Sequence, residues 1–341
     1  NPRAGRHQGK GGRLKRKLRI GVLFGGKSGE HEVSLASARS ILSAMDPAKY
    51  EPVPIGITKD GHWRAGDDSL ILLEHAAATG ELPCEEQGVA SYELVPVAAD
   101  RALTAGARSS PFATLDVVFP VLHGPYGEDG TVQGLLELLG IPYVGAGVLA
   151  SAVGMDKVVM KDVFTAHSLP VVPHLAFLRR DWEREPDRVV QRVETNIGYP
   201  CFVKPANLGS SVGVSKVHGR EGLHAAIQEA ALYDRKFLVE VAVRREREIE
   251  CSVLGNDDAI ASMPGEVIPS REFYDYAAKY LDGTSELHIP ARIPQDVAER
   301  VQELAVAAFR AVDCAGMARV DFLLDGVSSD LYVNELNTIP G

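Results

Sequence analysis

Near its end the sequence runs MARVDFLLD, DGVSSD, LYVNELN, two strand-like segments around a turn centred near residue 328. Antiparallel pairing about that turn sets Asp321 opposite Glu335. Arg319 shares a face with Asp321, and Asn337 shares one with Glu335. Like charges directly opposite each other destabilise a sheet, so a cation is expected between the two acids. Two carboxylates and an amide oxygen form an oxygen-only donor set, which suits Mg²⁺ with water and phosphate oxygens completing its shell. The alternative is a solvated hairpin face on which Arg319 neutralises the acids.

Lys204 lies in CFVKP, an otherwise apolar strand, where an ammonium needs an anionic partner to offset its desolvation. The loop that follows, ANLGSSVGVSK, is rich in Gly and Ser and can fold over phosphates with NH and OH donors. It is not a Walker A loop, because no GK[ST] follows and the next element reads as a strand. GAGVLA at Gly145 to Ala150 fits a dinucleotide fingerprint, but the acid expected about 20 residues on is missing. Kinase HRD and DFG strings are also absent.

These residues need elements to hold them. LRIGVLFGG from Leu18 reads as a buried strand ending in glycines, followed by HEVSLASARSILSAM at helical spacing. YEPVPIGIT, LDVVFPVLHG, a helix TVQGLLELLG and a short strand IPYVG extend a parallel α/β pattern to about residue 146. A second region starts with a helix around MDKVVMKDVFTAHS, stopped by Pro170, and continues through strands YPCFVKPA and VGVSKV and a helix LHAAIQEAALY. The third region, from about 241, holds REIECSVLG, an aromatic loop FYDYAAKY, a helix DVAERVQELAVAAFRAV and the final hairpin. Residues 270–280, flanked by Gly and Pro and without an apolar period, are expected to form a mobile lid.

The composition agrees with a globular chain. At 341 residues it has room for two to three domains, with 45% apolar and 24% charged residues. The net charge is −10, and eight Lys or Arg without an acid in residues 1–19 leave −18 on the rest. A body that acidic is a poor general nucleic-acid binder, so any nucleotide must be held by a few placed cations and backbone NH groups. Cys84, Cys201, Cys251 and Cys314 are widely spaced with no CxxC, which fits a reduced cytoplasm. The longest uncharged run, Leu138 to Met155, is broken by Pro142 and four glycines, so no membrane span is expected. The basic stretch 1–17 lacks an apolar core for a secretory signal and is expected to be a disordered tail.

GGKSGEHEVS, VLHGPYGEDGTVQG, MDK, VKPANLGSSVGVSK, FYDYAAKY, ARVDF and NELNTIPG stand in that order. With them, the chain from about Leu18 to its last residue resembles the D-alanine–D-alanine ligase family of the ATP-grasp superfamily. The resemblance implies an α/β protein of three domains: an N-terminal parallel α/β substrate domain, 18–146, and two α+β domains, 147–240 and 241–341, sandwiching the nucleotide. It implies that Lys157, Lys204 and Lys279 hold the phosphates of ATP under a loop containing Ser210 and Ser211. Glu240 and Glu248 are similar to residues that take the adenine amino group and the ribose, with Val241 and Val243 lining the hinge. Asp321, Glu335 and Asn337 resemble ligands for two Mg²⁺ ions, with Mn²⁺ as a substitute.

For the substrate, the resemblance gives Glu30 the ammonium of the first D-alanine and places His123 nearby. Arg319 and the Gly341 NH resemble the donors to a tetrahedral oxyanion. Tyr280 resembles an aromatic that closes the lid on Ser210, which in turn reaches Glu30. The implied activity is ATP-dependent joining of two D-alanines through an acyl phosphate, for peptidoglycan, by a cytoplasmic homodimer with no nucleic-acid or membrane partner. D-alanyl-D-lactate or D-alanyl-D-serine ligation, and nucleotide binding without turnover, are the alternatives. Retention of FYDYAAKY favours an amino-acid acceptor. The family's chain is expected to run past NTIPG into a segment for the second D-alanine's carboxylate, whereas this sequence ends at Gly341.

Overall fold

The computed structural model of the chain describes residues 16–79, 90–92, 115–268 and 286–340. Lys279, Tyr280, Gly341, the expected lid at 270–280 and all but the last two residues of the basic tail lie outside them. The chain divides into two compact units, with the boundary between Gly147 and Val148.

The first unit contains β1 (Leu18–Gly25), α1 (His31–Ala44), β2 (Tyr50–Ile57), β3 (Trp63–Ala65), α2 (Ser69–Thr79), β4 (Ala90–Tyr92), β5 (Val117–Val121) and α3 (Thr131–Leu139). Its sheet has the order β4-β3-β2-β1-β5. β1 lies at the parallel centre and is covered on both faces, which is why it reads as a continuous apolar run. Val22 and Phe24 pack with Leu35 of α1 and Leu73 of α2. Leu23 packs the other way, with Val132 and Leu136 of α3. The expected all-parallel pattern holds only for β2, β1 and β5, because β3 and β4 add antiparallel. The link from Ile57 to Trp63 is too short for a parallel crossover, which needs a dozen residues or more. IPYVG is not a strand but a single bridge, Tyr143 to Val118, beside the imino nitrogen of Pro142.

The second unit contains α4 (Val148–Met155), α5 (Lys157–Ala166), β6 (His174–Leu178), α6 (Arg179–Arg184), α7 (Pro186–Asn196), β7 (Cys201–Pro205), β8 (Ser215–Val217), α8 (Arg220–Tyr233) and β9 (Lys236–Val241). It continues through β10 (Arg247–Gly255), β11 (Ile260–Ala261), β12 (Gly265–Ile268), β13 (Glu286–His288), α9 (Gln295–Ala311), β14 (Gly316–Leu324) and β15 (Leu331–Asn337). One antiparallel sheet has the order β6-β9-β7-β8. The other runs β13-β12-β10-β14-β15, with β11 beside β10. The fold is therefore mixed α/β on three sheets, as expected.

The strand period sorts the side chains of β9 between two environments. Phe237 and Val239 face α7 and α8, in a core with Val189, Val193, Leu223 and Ile227. Leu238 packs the opposite way, with Ala206 and with Val158 of α5. Glu240 follows Leu238 on that second face. Asp156 starts α5 as its N-cap, accepting from the NH groups of Val158 and Val159 at 3.1 Å each. It therefore divides the single helix expected around MDK from the preceding α4.

Phe237 is fully buried and its ring stacks on Phe177 at 5.6 Å between centroids. Phe237→Ala is expected to cost about 3–5 kcal/mol in urea unfolding of the second unit. A loss under about 1 kcal/mol would mean that this core is not well packed.

Candidate active site

A buried cluster forms where α5 meets β7, β9 and β15. Lys157, Met160, Lys161 and Phe164 follow the i, i+3, i+4, i+7 spacing of one helix face. Lys161 is 1% exposed, and its Nζ lies 3.2 Å from Oε2 of Glu240, also 1% exposed. Lys204 of β7, 13% exposed, contacts the other oxygen, Oε1. Lys204 thus has the anionic partner its apolar strand demanded. Burial alone would raise the pKa of Glu240, but the fields of Lys161 and Lys204 outweigh it and hold the carboxyl at about 2. Burial lowers Lys161, opposed by Glu240, whereas for Lys204 the pull of Glu240 overcomes burial and raises it.

The same helix reaches the hairpin. Nζ of Lys157 lies 3.9 Å from Glu335 and donates to the carbonyl of Leu208 in the Gly-Ser loop. Lys161 donates to the carbonyl of Asn334 at 3.3 Å, and the NH of Leu336 donates to Sδ of Met160 at 3.3 Å. In the loop, Ser210, Ser211 and Gly213 all have positive φ. A Cβ at Gly213 would lie 2.6 Å from the Tyr233 ring, so glycine is needed for space as well as conformation.

In the hairpin, Asp321 pairs with Glu335 and Arg319 with Asn337. The register then slips, Phe322 pairing with Val333, so Asn334 is the extra residue of a bulge. Arg319 forms a two-pronged bond to Asp321, at 2.6 and 2.8 Å, and lies 3.4 Å from Glu250. Asn337 donates its amide to Asp321 at 2.9 Å. Despite burial, the fields of Asp321 and Glu250 keep Arg319 charged, well above its usual range. Asp325 shapes the turn by accepting from the NH groups of Val327 and Ser328 at 2.8 and 2.9 Å.

Val243 is packed in a core with Val172, Leu323 and Tyr332, so its side chain is committed to packing. The NH of Val241 is bonded to the carbonyl of Pro173 at 3.0 Å. Glu248 stands two residues before Glu250 on β10, across from Leu323. Lys161 and Glu250 were not foreseen. Their signals were a lysine on the apolar stripe of MDKVVMK and a second acid at period two in REIEC.

In the first unit Glu30 and His123 come together. Glu30 sits at the N-cap of α1, but its side chain makes no capping bond there. Its Oε2 lies over Gly124, where a Cβ would be only 2.4 Å away. Ser28 Oγ donates to the carbonyl of His123 at 2.6 Å and accepts from the NH of Glu30 at 3.2 Å. Nε2 of His123 shares a hydrogen bond with Ser37 of α1 at 3.0 Å. A cavity of about 450 Å³, lined by Lys27, Ser28, Trp63, His123 and Tyr126 among others, opens beside this group. Ser28 and Gly124 belong to the strings GGKSGEHEVS and VLHGPYGEDGTVQG, whereas nothing local in the sequence marks Ser37.

Gly124 has φ +73°, whereas Gly140, at φ +65°, has open space around its would-be Cβ. Gly140→Ala should cost about 1–2 kcal/mol from conformation alone. Gly124→Ala should cost clearly more in a thermal melt, because it also displaces Glu30, and equal losses would contradict that steric account. For Glu240 the folded pKa of about 2 lies below the usual 4.5. Its stabilising contribution is therefore complete above pH 4.5 and is lost as pH falls through about 2. The Tm gap between the unmodified protein and Glu240→Gln should be widest near neutrality and close toward pH 2, and a gap indifferent to pH would count against the buried ion pairs.

Two family models match the chain: "D-ala D-ala ligase N-terminus" over residues 19–146 and "D-ala D-ala ligase C-terminus" over residues 163–341. The chain is 48% identical over 328 residues to the D-alanine–D-alanine ligase of Geobacillus thermodenitrificans, covering 95% of this chain and 87% of that one. It is 51% identical over 326 residues to the D-alanine–D-alanine ligase of a Thermoanaerobacter species, covering 95% and 88%. Among solved structures, it is similar to the VanG D-Ala:D-Ser ligase of Enterococcus faecalis, with TM-score 0.82, 34% identity and coverage of 96% and 91%. It is also similar to the D-alanine–D-alanine ligase of Coxiella burnetii, with TM-score 0.77, 37% identity and coverage of 95% and 85%. With both halves matched and every string that carries the resemblance except MDK lying within them, the chain belongs to the D-alanine–D-alanine ligase family.

Proposed function

We propose that the chain joins two D-alanines into D-alanyl-D-alanine with cleavage of ATP to ADP and phosphate, supplying a precursor of the bacterial cell wall. The observation that carries this reading is the gathering, in one unit of a ligase-family chain, of Lys157, Lys204 and the Asp321–Glu335 pair. With divalent cations on the two acids, such a group would neutralise a polyphosphate without a basic surface. A carboxylate oxygen of the first D-alanine attacks the γ-phosphorus, and the bond from that phosphorus to the β,γ-bridging oxygen breaks as ADP leaves. The amine of the second D-alanine attacks the acyl carbon. The C–N bond forms, the amine loses a proton, and phosphate departs from the tetrahedral centre.

The protein's work in this scheme is positioning and charge stabilisation. Lys157 and Lys204 take phosphate oxygens, Glu30 takes the first substrate's ammonium, and Arg319 donates to the oxyanion. Mg²⁺, or Mn²⁺ in its place, would be held by Asp321, Glu335 and Asn337, an oxygen-bearing set on paired strands of the hairpin where the Arg319 guanidinium and the Asn337 amide NH now bond Asp321. When bound, two such ions would neutralise phosphate charge beside Lys157. We assign Glu240 and Glu248 to the nucleoside end and Ser210 and Ser211 to the phosphate-covering loop. Lys279, Tyr280 and Gly341 complete the family pattern from outside the described residues. A cytoplasmic homodimer is the proposed setting. Among the described residues no helix is long and apolar enough to cross a membrane.

Phosphate release from ATP and Mg²⁺ should rise sharply on adding D-alanine, and the product should be the dipeptide even when D-serine and D-lactate are supplied together. Predominant D-alanyl-D-serine or ester at neutral pH would overturn the assigned acceptor. Dipeptide yield should increase from pH 6 to 9 as the acceptor ammonium deprotonates. Glu335→Gln should lower turnover about a hundredfold or more while the melt stays near that of the unmodified protein. Near-normal turnover in the folded variant would return the hairpin to a solvated face.

A further inference from the structure

Glu240 is served by two lysines where one would balance its charge. A carboxylate this deeply buried must keep a cation beside it, because an unpaired interior charge is among the costliest groups in a fold. The two lysines are not equivalent. Lys161 is 1% exposed and fixed between Glu240 at 3.2 Å and the Asn334 carbonyl at 3.3 Å. That carbonyl belongs to the bulge residue which the register with β14 skips. Lys204 is 13% exposed and stands at the start of the Gly-Ser loop.

We propose that Lys161 is a positioning residue, the standing counter-ion of Glu240, whose presence lets the ammonium of Lys204 move from that carboxylate to a nucleotide phosphate. The proposal rests on the reading that Lys204 takes a phosphate of ATP. With Lys161 in place, the three groups carry a formal charge of +1, and Glu240 stays compensated when Lys204 turns to the ligand. Without it, Lys204 is the sole counter-ion of a buried carboxylate, and ATP must compete with Glu240 for it. Lys161, enclosed between Glu240 and the Asn334 carbonyl, acts on the nucleotide through Lys204. Its bond to Asn334 also ties β9 to the strand carrying Glu335, so one side chain braces the lysine site against the hairpin.

The test is calorimetric binding of ATP with Mg²⁺, without D-alanine, by the unmodified protein, Lys161→Met, Glu240→Gln and the double variant, with melts and the KM for each substrate beside it. Lys161→Met should weaken ATP binding about tenfold or more while the KM for D-alanine changes less than about twofold. The double variant should bind ATP as Glu240→Gln does, because no buried carboxylate then holds Lys204. A merely structural role of Lys161 predicts the same tenfold loss whether or not Glu240 is charged. Unchanged ATP affinity in Lys161→Met, or a double variant that binds about tenfold or more weaker than Glu240→Gln, would overturn the proposal. If Lys161→Met melts too low to assay, the comparison of Glu240→Gln with the double variant decides. With Glu240 already neutral, removing Lys161 should leave ATP binding unchanged, and a further tenfold loss would overturn the proposal. An unmodified protein that neither binds ATP nor releases phosphate would overturn the functional reading and this proposal with it.

Discussion

A single buried carboxylate, Glu240, sets the terms for the second unit. It sits on the face of β9 that turns away from the helices α7 and α8, beside Leu238, which packs on α5. An ionised acid there requires cations from the surrounding elements, and two elements supply them: α5 through Lys161 and β7 through Lys204. The requirement fixes the rotation of α5, since Lys161 can reach Glu240 only if the stripe holding Met160 and Phe164 is also buried. With that stripe inward, Lys157 at its start is brought to Glu335 and to the loop after β7. One electrostatic necessity therefore places the lysines, the Gly-Ser loop and the hairpin acids in mutual register.

The first unit solves a similar problem with sterics. Glu30 is buried, and its carboxylate rests on a glycine because no larger residue would fit. Serines complete the arrangement, Ser28 between Glu30 and His123 and Ser37 against the imidazole. Both devices suit an acidic chain that handles an anionic nucleotide. Where the general field is unfavourable, recognition depends on a few cations and donors held rigidly by packing.

Much of this was legible in the sequence because it follows from period and charge. Two strands and a six-residue turn set Asp321 against Glu335, and an ammonium inside an apolar strand implied an anion near Lys204. What could not be read depends on long-range packing. The bulge at Asn334 leaves the pairing of the acids intact, so nothing in the alternation of LYVNELN announces it. Lys161 looks like an ordinary helix lysine until β9 is placed across from it. β3 and β4 are three-residue strands, too short to show an apolar period that would mark them. The packing of the Val243 side chain with Val172 and Leu323 likewise depends on where the chain goes after β9.

The central claim is that Glu240 holds one fixed and one mobile lysine. Heteronuclear NMR of the lysine side-chain ammonium groups, with signals assigned by substitution, observes both during titration with Mg²⁺ and a non-hydrolysable ATP analogue. The account predicts that the Lys204 signal shifts progressively to saturation while that of Lys161 stays where it is in the free protein. A stationary Lys204 beside a shifting Lys161, or two signals that move together, would contradict it.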